Sequence, residues 1–293
     1  MSIGSRLLWR CETLYLSADG IDLRRKHMRA YLERRTARTA GWSRRLASFS
    51  AVLFIVAGLA HRYGLLQTPV FLLVLGLVAA LAICALAFSA FAFSRVWNNG
   101  DVGGSDLTWG AIIALAVLVP YLITGYRGVI YPQLNDISTD LDEPPALTQA
   151  AKERTADMDA IVPFTPERRK LQSDKYPDVT GRRYDLPFDR AFEGVEAVVK
   201  QEGWKQEGPR SHAEGQSEVT VEALAFTTIL AFPVDVSIRL IDEGETTYVD
   251  MRSTSRYGKH DFGDNAARIT EFFEALDTEV ATLSGTAPVV PAP

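Results

Sequence analysis

The chain has 293 residues, of which 47% are hydrophobic. Its charge is segregated: residues 1–45 carry 11 Lys or Arg and 4 Asp or Glu, whereas residues 131–293 carry 17 and 30, which leaves a net charge of −13 there. An acidic region of this size argues against nucleic acid as a partner. Both cysteines precede this region, so it can contain neither a disulfide nor a zinc–thiolate cluster.

Residues 1–45 form a basic segment ahead of the first apolar run. The positive-inside rule predicts that such a segment stays in the cytoplasm. It could contact anionic lipid there, but the favoured role is to orient the first span. Met28 leads directly into an Arg-rich helical stretch and is therefore an alternative start of the chain.

Three apolar runs within residues 46–127 predict three transmembrane helices. Residues 70–93 contain no charge, and at about 1.5 Å per residue they exceed the roughly 30 Å hydrocarbon core. Residues 107–126 are also uncharged and long enough to cross. Residues 46–60 are shorter, so they cross only if flanking basic side chains snorkel to the interface. The alternative is an interfacial helix.

Three crossings from a cytoplasmic N-terminus would place the acidic region outside the cytoplasm. In a Gram-negative cell this predicts a multi-pass inner-membrane protein with a periplasmic C-terminal domain. If the first run does not cross, the same domain would be cytoplasmic.

The acidic region begins with a predicted juxtamembrane arm at 128–175, and a soluble α+β domain follows at 176–282. A helix starting near Pro187 is predicted from one apolar stripe. Alternation predicts three strands, at 218–227, 234–241 and 246–256. A last helix is predicted to begin at an Asp264 N-cap, and the tail 283–293 is predicted to be disordered.

The predicted fold is therefore α+β, with three N-terminal transmembrane helices followed by a small antiparallel sheet of about three strands. Two helices are expected to pack on one face of this sheet. A turn at Glu243-Gly244 would pair Leu240 with Thr247 and Asp235 with Arg252.

A polar motif runs from Arg252 to Arg268 and reads R-S-T-S-R-Y-G-K-H-D-F-G-D-N-A-A-R. It resembles the R-S-x-S-R-x-G-x-x-D-F-G-x-N-x-x-R hallmark of the bacterial and plastid domain-of-unknown-function family 1499. The segment 131–145 resembles the juxtamembrane segment of its membrane-anchored, multi-span members. The chain departs from the family pattern in lacking a cysteine near the start of the domain and in having Val234 beside Asp235. The resemblance implies no reaction, cofactor or metal.

Two interpretations of the motif are open. In the first, the motif binds an anion such as a phosphate, a carboxylate or a lipid headgroup beside a helix N-terminus. In the second it is a structural lock, in which Asp261 and Asn265 cap the last helix and the arginines pair with Asp235, Asp250 and Asp261. A hydrolase triad is disfavoured because no G-x-S-x-G turn exists. The residues assigned to the anion site are Arg252, Ser253, Ser255, Arg256, Asp261, Asn265 and Arg268.

Three functional hypotheses follow. The leading one is a membrane-anchored envelope protein whose periplasmic domain binds a lipid, another amphiphile or a partner protein without catalysis, and without a cofactor or metal. The second is an enzyme that acts on a phosphorylated or acylated envelope substrate through the Arg/Ser/Asp cluster. The third is a structural subunit of a membrane complex. The expected partners are membrane lipids, with an envelope protein or a second copy of the chain as further possibilities.

Overall fold

The computed structural model describes residues 37–208 and 217–285. Most of the predicted basic segment, including Met28, lies outside the described residues, as do residues 286–293 of the predicted tail.

The N-terminal part of the described chain is a bundle of three helices. Each is long and apolar enough to cross a membrane, so the prediction of three spans is confirmed in length and composition. The short run 46–60 lies within a helix of 25 residues, about 38 Å long at 1.5 Å per residue. The helices are α1 (Arg38–Arg62), α2 (Thr68–Asn99) and α3 (Gly104–Ile130).

Small side chains bring the three helices together. Ala47, Ala85 and Ala114 form a fully buried contact with one residue from each helix. At Gly110 of α3, an added Cβ would lie 2.4 Å from the Ser43 hydroxyl oxygen, so α1 and α3 approach through a position that only glycine fits. The outer surfaces remain apolar and exposed, as expected of helices that face lipid.

Helices α1 and α3 run in the same direction along the bundle. The start of α1 meets the α2–α3 connection, where the Ala37 amide donates to the Val102 carbonyl at 3.0 Å. The last turn of α1 contacts the C-terminal domain through Arg62, and the last turn of α3 does so through an Arg127–Asp264 ion pair of 2.6 Å. Helix α1 therefore extends from one end of the bundle to the other.

The described part of the C-terminal domain contains an antiparallel sheet and four helices, so the α+β class is confirmed. Among the described residues the sheet has six strands, in the order β1-β6-β5-β4-β3 with β2 also paired to β6. The prediction of about three strands missed β1, β2 and β3, because three residues are too few to show alternation. In chain order the elements are β1 (Asp136–Ser138), α4 (Thr148–Glu153), α5 (Pro166–Lys175), β2 (Arg182–Tyr184), α6 (Phe188–Gln201), β3 (Lys205–Glu207), β4 (Glu218–Phe226), β5 (Pro233–Asp242), β6 (Thr247–Ser255) and α7 (Asp264–Leu283).

One face of the sheet packs against α6 and α7 and forms the apolar core. The stripe predicted for α6 is buried, and α7 contributes Ile269, Phe272, Phe273 and Leu276. The strands contribute alternate residues such as Val236, Ile238 and Met251, all fully buried. The two-helix layer predicted from the sequence is thus present.

The β5–β6 hairpin is shifted by two residues from the predicted register. Leu240 pairs with Val249 instead of Thr247, and Arg252 lies opposite Ser237 instead of Asp235. The connection is a four-residue loop, 243–246, in which the Asp242 carboxylate accepts from the Gly244 amide at 2.8 Å. A shift of two residues leaves every side chain on its predicted face.

The predicted arm contributes to the domain. Its strand β1 pairs with the C-terminal half of β6. Residues 139–160, which we call the covering segment, lie over the sheet face opposite the helices: Ser237 donates to the Ala146 carbonyl at 2.6 Å, and the Thr148 amide donates to the Glu222 carboxylate at 2.8 Å. This second face, which we call the polar face, is therefore buried although its residues are charged.

Candidate functional site

The seven residues assigned to the anion site do not converge on one place. Alternation along β6 puts Arg252 and Arg256 on the polar face, and Ser253 and Ser255 on the face that carries α7. The motif therefore forms two clusters on opposite sides of the sheet.

Arg252 is held on the polar face by a carboxylate from β1. Its guanidinium donates to both oxygens of Asp136, with Nε–Oδ1 at 3.0 Å and Nη2–Oδ2 at 2.7 Å. Both side chains are buried, and the guanidinium also lies 5.2 Å from the centre of the Phe164 ring. A bidentate pair of this kind satisfies the charge of the arginine within the protein.

Arg256 belongs to a buried charge cluster at the other end of the same face. Asp235 lies between Arg256, with Nε–Oδ1 at 2.6 Å, and Arg154, with Nε–Oδ2 at 2.9 Å. Glu207 and Glu153 also approach Arg256. Burial, together with the neighbouring Glu153 carboxylate, raises the pKa of Glu207 to about 7.

The second cluster joins β6 to the start of α7. The Ser253 hydroxyl donates to Asn265 Oδ1 at 2.9 Å, and Asn265 Nδ2 donates to the Ser255 hydroxyl and to the Asn135 carbonyl. Arg268 donates to Asn265 Oδ1 at 3.1 Å, and burial lowers the pKa of its guanidinium. Asn265 thus bonds to the sheet and does not cap the helix as the lock interpretation predicted.

Asp261 supplies the cap of α7. Its two carboxylate oxygens accept from the amides of Gly263 and Asn265, each at 3.0 Å, while burial raises its pKa. Gly263 stands at the cap position with a φ of +86°, and an added Cβ there would collide with the Tyr131 ring. Asp264, predicted as the N-cap, is instead the first helical residue.

These contacts agree with part of the lock interpretation. Asp261 caps α7 through backbone amides and Asp235 pairs with Arg256 of the motif, whereas Asp250 pairs with Arg239, which lies outside the motif. The donors of Arg252 and Arg256 that a bound anion would need are directed at protein carboxylates.

A groove that the sequence interpretation missed lies between β6, α5 and the segment that follows α3. Its volume is about 510 Å³, within the usual range for ligand sites. Leu134, Val162 and Leu171 supply its apolar surface, and Arg168 and Lys259 supply two cations. The remaining lining residues are Gln133, Asn135, Asp136, Asp159, Ala160, Glu167 and Thr254.

Two side chains of the groove are positioned by identifiable contacts. Arg168 donates to Asn135 Oδ1 at 3.0 Å and lies 5.7 Å from the centre of the Phe164 ring. The Asp159 Oδ2 atom is buried without a hydrogen-bond partner among the described residues. A buried carboxylate oxygen without a donor is costly in a folded protein, so Asp159 is a strained element of the groove lining.

The groove lies at the membrane end of the domain. Its lining begins at Gln133, three residues after α3 ends at Ile130. The loop that carries Lys259 continues to Phe262, whose ring would be 3.4 Å from a Cβ added at Gly128 of α3. The lining residues are spread over several separate segments of the sequence, so no local pattern predicts the groove.

Comparison with solved structures finds three matching chains, among them two bacterial proteins of low similarity. CalU16 from Micromonospora echinospora is 12% identical, covers 36% of this chain and 84% of its own, and has a TM-score of 0.20. TTHA0849 from Thermus thermophilus is 14% identical, covers 36% of this chain and 97% of its own, and has a TM-score of 0.19. No curated protein matches the chain.

The family comparison agrees with the resemblance seen in the polar motif. Residues 136–276 match the family described as a protein of unknown function, DUF1499. The match begins at Asp136 in β1, which pairs with Arg252 of the motif. The C-terminal part of this chain therefore matches the DUF1499 family model, and the three apolar helices before it are consistent with the membrane-anchored subtype.

Proposed function

We propose that the protein is a multi-pass inner-membrane protein whose C-terminal domain lies on the periplasmic side and binds an amphiphile, without catalysis, in the groove at its membrane end. The basic segment 1–45 favours a cytoplasmic N-terminus. The parallel course of α1 and α3 supports three crossings, because it puts the start of α1 and the C-terminal domain at opposite ends of the bundle.

The observation that carries this proposal is the juxtaposition of apolar and charged lining in one groove. Leu134, Val162 and Leu171 offer a surface for methylene groups, and Arg168 and Lys259 offer donors for a phosphate. The lining also includes the carboxylates of Asp159 and Glu167. Since Asp136 is neutralised by Arg252, the remaining two cations and two anions balance.

This balance favours a zwitterionic headgroup over a simple anion. A phosphate would lie near Arg168 and Lys259, and an ammonium group would lie near the Asp159 and Glu167 carboxylates. Phosphatidylethanolamine has both groups and an apolar body. Because the groove starts three residues from the end of α3, such a lipid can reach it from the bilayer surface.

The absence of catalysis is supported by the contacts of the motif serines. Ser253 donates to Asn265 and accepts from Arg268, and Ser255 accepts from Asn265. His260 Nδ1 accepts from the Phe262 amide at 2.9 Å. Each hydroxyl is therefore engaged in joining β6 to α7, and the imidazole is engaged in its own loop.

Native mass spectrometry of the full chain released from nanodiscs of phosphatidylethanolamine and phosphatidylglycerol tests the proposal. We expect retained phosphatidylethanolamine in excess of its mole fraction. Val162→Asp and Lys259→Glu should reduce that retention several-fold. Lys205→Glu, at an exposed position on β3, makes the same charge change outside the groove and should leave retention unchanged.

Retention that follows the mole fractions, or that survives both groove variants, would overturn the groove as a lipid site. A preference for phosphatidylglycerol that is lost in Lys259→Glu would instead favour an anion site.

A further inference from the structure

The connection between β4 and β5 is a short loop, 227–232, at the membrane end of the sheet. Thr227 closes it: its carbonyl accepts from the Ala231 amide at 3.0 Å and its hydroxyl accepts from the Phe232 amide at 2.9 Å. Ala231 adopts a φ of +55°, a strained conformation for a residue with a side chain. The loop 227–232, which we call the tip, is thus held in one conformation by its own hydrogen bonds.

The last turn of α1 binds the backbone of this tip. Arg62 donates to the carbonyls of Thr228 and Ile229 at 2.5 and 3.2 Å. His61 Nδ1 donates to the Leu230 carbonyl at 2.6 Å. Three consecutive carbonyls of the tip are therefore held by two residues at the end of a membrane helix.

The tip also reaches residues that lie inside the apolar runs. Leu230 Cδ2 is 3.8 Å from the position of a Cβ at Gly58 in α1. The Phe232 ring is 5.7 Å from the ring of Phe71 in α2, and Phe71 is completely buried. Because Gly58 and Phe71 belong to the runs 46–60 and 70–93, the Leu230 and Phe232 side chains of the tip reach the ends of those apolar runs.

Apolar side chains of the same tip remain uncovered by protein. Ile229 is 81% exposed and Phe226, just before the tip, is 48% exposed. Leu65, on the turn between α1 and α2, is 82% exposed. The partner that covers side chains at the level of transmembrane residues is the bilayer.

We propose that the β4–β5 tip is inserted into the bilayer, with Ile229 and Phe226 in contact with lipid acyl chains. The domain would then contact the bilayer directly through the tip, in addition to its contacts with the ends of the membrane helices α1 and α3. This inference is independent of the groove and of its ligand.

Site-specific fluorescence in the full chain tests the proposal. In a background with Cys11→Ser and Cys84→Ser, a single cysteine replaces Ile229 and is labelled with a nitrobenzoxadiazole fluorophore in phosphatidylcholine vesicles. Lipids with a spin label on the fifth acyl carbon should quench the label at 229 several-fold more than a label at Glu245→Cys. Glu245 lies in the loop at the opposite end of β5, about 30 Å away at 3.3 Å per residue.

Leu65→Cys supplies the reference for a position next to the spans, and Thr228→Cys supplies a second exposed position on the tip. Quenching at 228 and 229 similar to that at 65 supports insertion. Quenching at 228 and 229 no greater than at 245 overturns it, whatever the value at 65.

Discussion

Asp136 and Arg252 form a buried, doubly hydrogen-bonded ion pair that joins the first strand after the membrane helices to the last strand of the sheet. The two residues are 116 positions apart, and both hydrogen bonds measure 3.0 Å or less. One member comes from the segment predicted to be an arm and the other from the motif that resembles the family hallmark. The pair therefore fixes the exit of α3 to the centre of the domain.

Replacing one member of this pair should destabilise the protein strongly. Asp136→Asn keeps the size of the side chain but leaves the Arg252 charge buried without its partner. We expect a loss of about 3–5 kcal/mol in the free energy of unfolding, the usual cost of breaking a buried pair. Urea unfolding of the full chain in nanodiscs measures this change.

The matched control is Glu243→Gln, which breaks the exposed pair between Glu243 and Arg183. An exposed pair contributes about 0.2–1 kcal/mol, so the free energy of unfolding of this variant should stay close to that of the parent protein. Equal losses in the two variants would show that burial does not strengthen the Asp136–Arg252 pair.

The covering segment should depend on Glu222. Its carboxylate accepts from the amides of Thr148, Gln149 and Ala150 at 2.8–3.1 Å, and so holds the start of α4 on the polar face. Glu222→Ala removes all these bonds. Hydrogen exchange followed by mass spectrometry should show at least tenfold faster exchange in 148–154, because local opening becomes easier.

Glu218→Ala changes an exposed carboxylate on the same strand and should leave the exchange of 148–154 unchanged. Protection that persists in Glu222→Ala would mean that the covering segment is held by its other contacts.

The free energy of unfolding should fall as the pH rises from about 4.5 to 7, because Glu207 loses its proton at a higher pH in the folded protein than in the unfolded chain. The pKa of this carboxyl is raised from 4.5 to about 7 by burial and by Glu153, so the folded state binds the proton more tightly than the unfolded state. The contribution of Glu207 to the free energy of unfolding is therefore most favourable at low pH, declines between about pH 4.5 and 7, and stays low above pH 7. Glu207→Gln should stabilise the protein at pH 8 by roughly 1–2 kcal/mol relative to the parent.

Thermal unfolding in nanodiscs at pH 5, 6, 7 and 8 measures the effect. Glu274→Gln, at an exposed position on α7, serves as the control and should follow the parent profile. A Glu207→Gln profile parallel to that of the parent would contradict the raised pKa.

The contact between α1 and α3 should tolerate no side chain at Gly110. A Cβ there would lie 2.4 Å from the Ser43 hydroxyl oxygen and 2.9 Å from the Arg44 amide nitrogen. Because backbone cannot move aside cheaply, Gly110→Val should separate the helices and lower the midpoint of thermal unfolding in detergent by several degrees. Gly76→Val places the same side chain in open space on α2 and should leave the midpoint within about 1 °C, since surface changes cost little.

The features predicted correctly from the sequence are those encoded locally. Three apolar runs indicated three membrane helices, the Phe188, Phe192, Val195 and Val199 stripe indicated α6, and alternation indicated β4, β5 and β6. The partners that residues find far away in the sequence were predicted less well. Asp136 was placed in a juxtamembrane arm outside the predicted domain, because nothing near it in sequence shows that Arg252 will pair with it.

The short strands and the groove could not be predicted for a related reason. Strands β1, β2 and β3 exist because β6 and β4 offer them backbone hydrogen bonds, and three residues have no detectable period of their own. The register error arose from the loop 243–246, where a four-residue connection replaces the expected two-residue turn. The groove is formed by residues from four separate segments, so no local pattern marks it.

The pairing of β1 with β6 has a consequence for biosynthesis. The strand that leaves the membrane first, Asp136–Ser138, has as its partner the last strand to be made, Thr247–Ser255. Until that last strand has been synthesised, the Asp136 carboxylate lacks its Arg252 partner and the first strand lacks the strand with which it pairs. Closure of the domain is thus a late, non-local event, and a nascent chain interrupted before Arg252 would expose unpaired charge beside the bilayer.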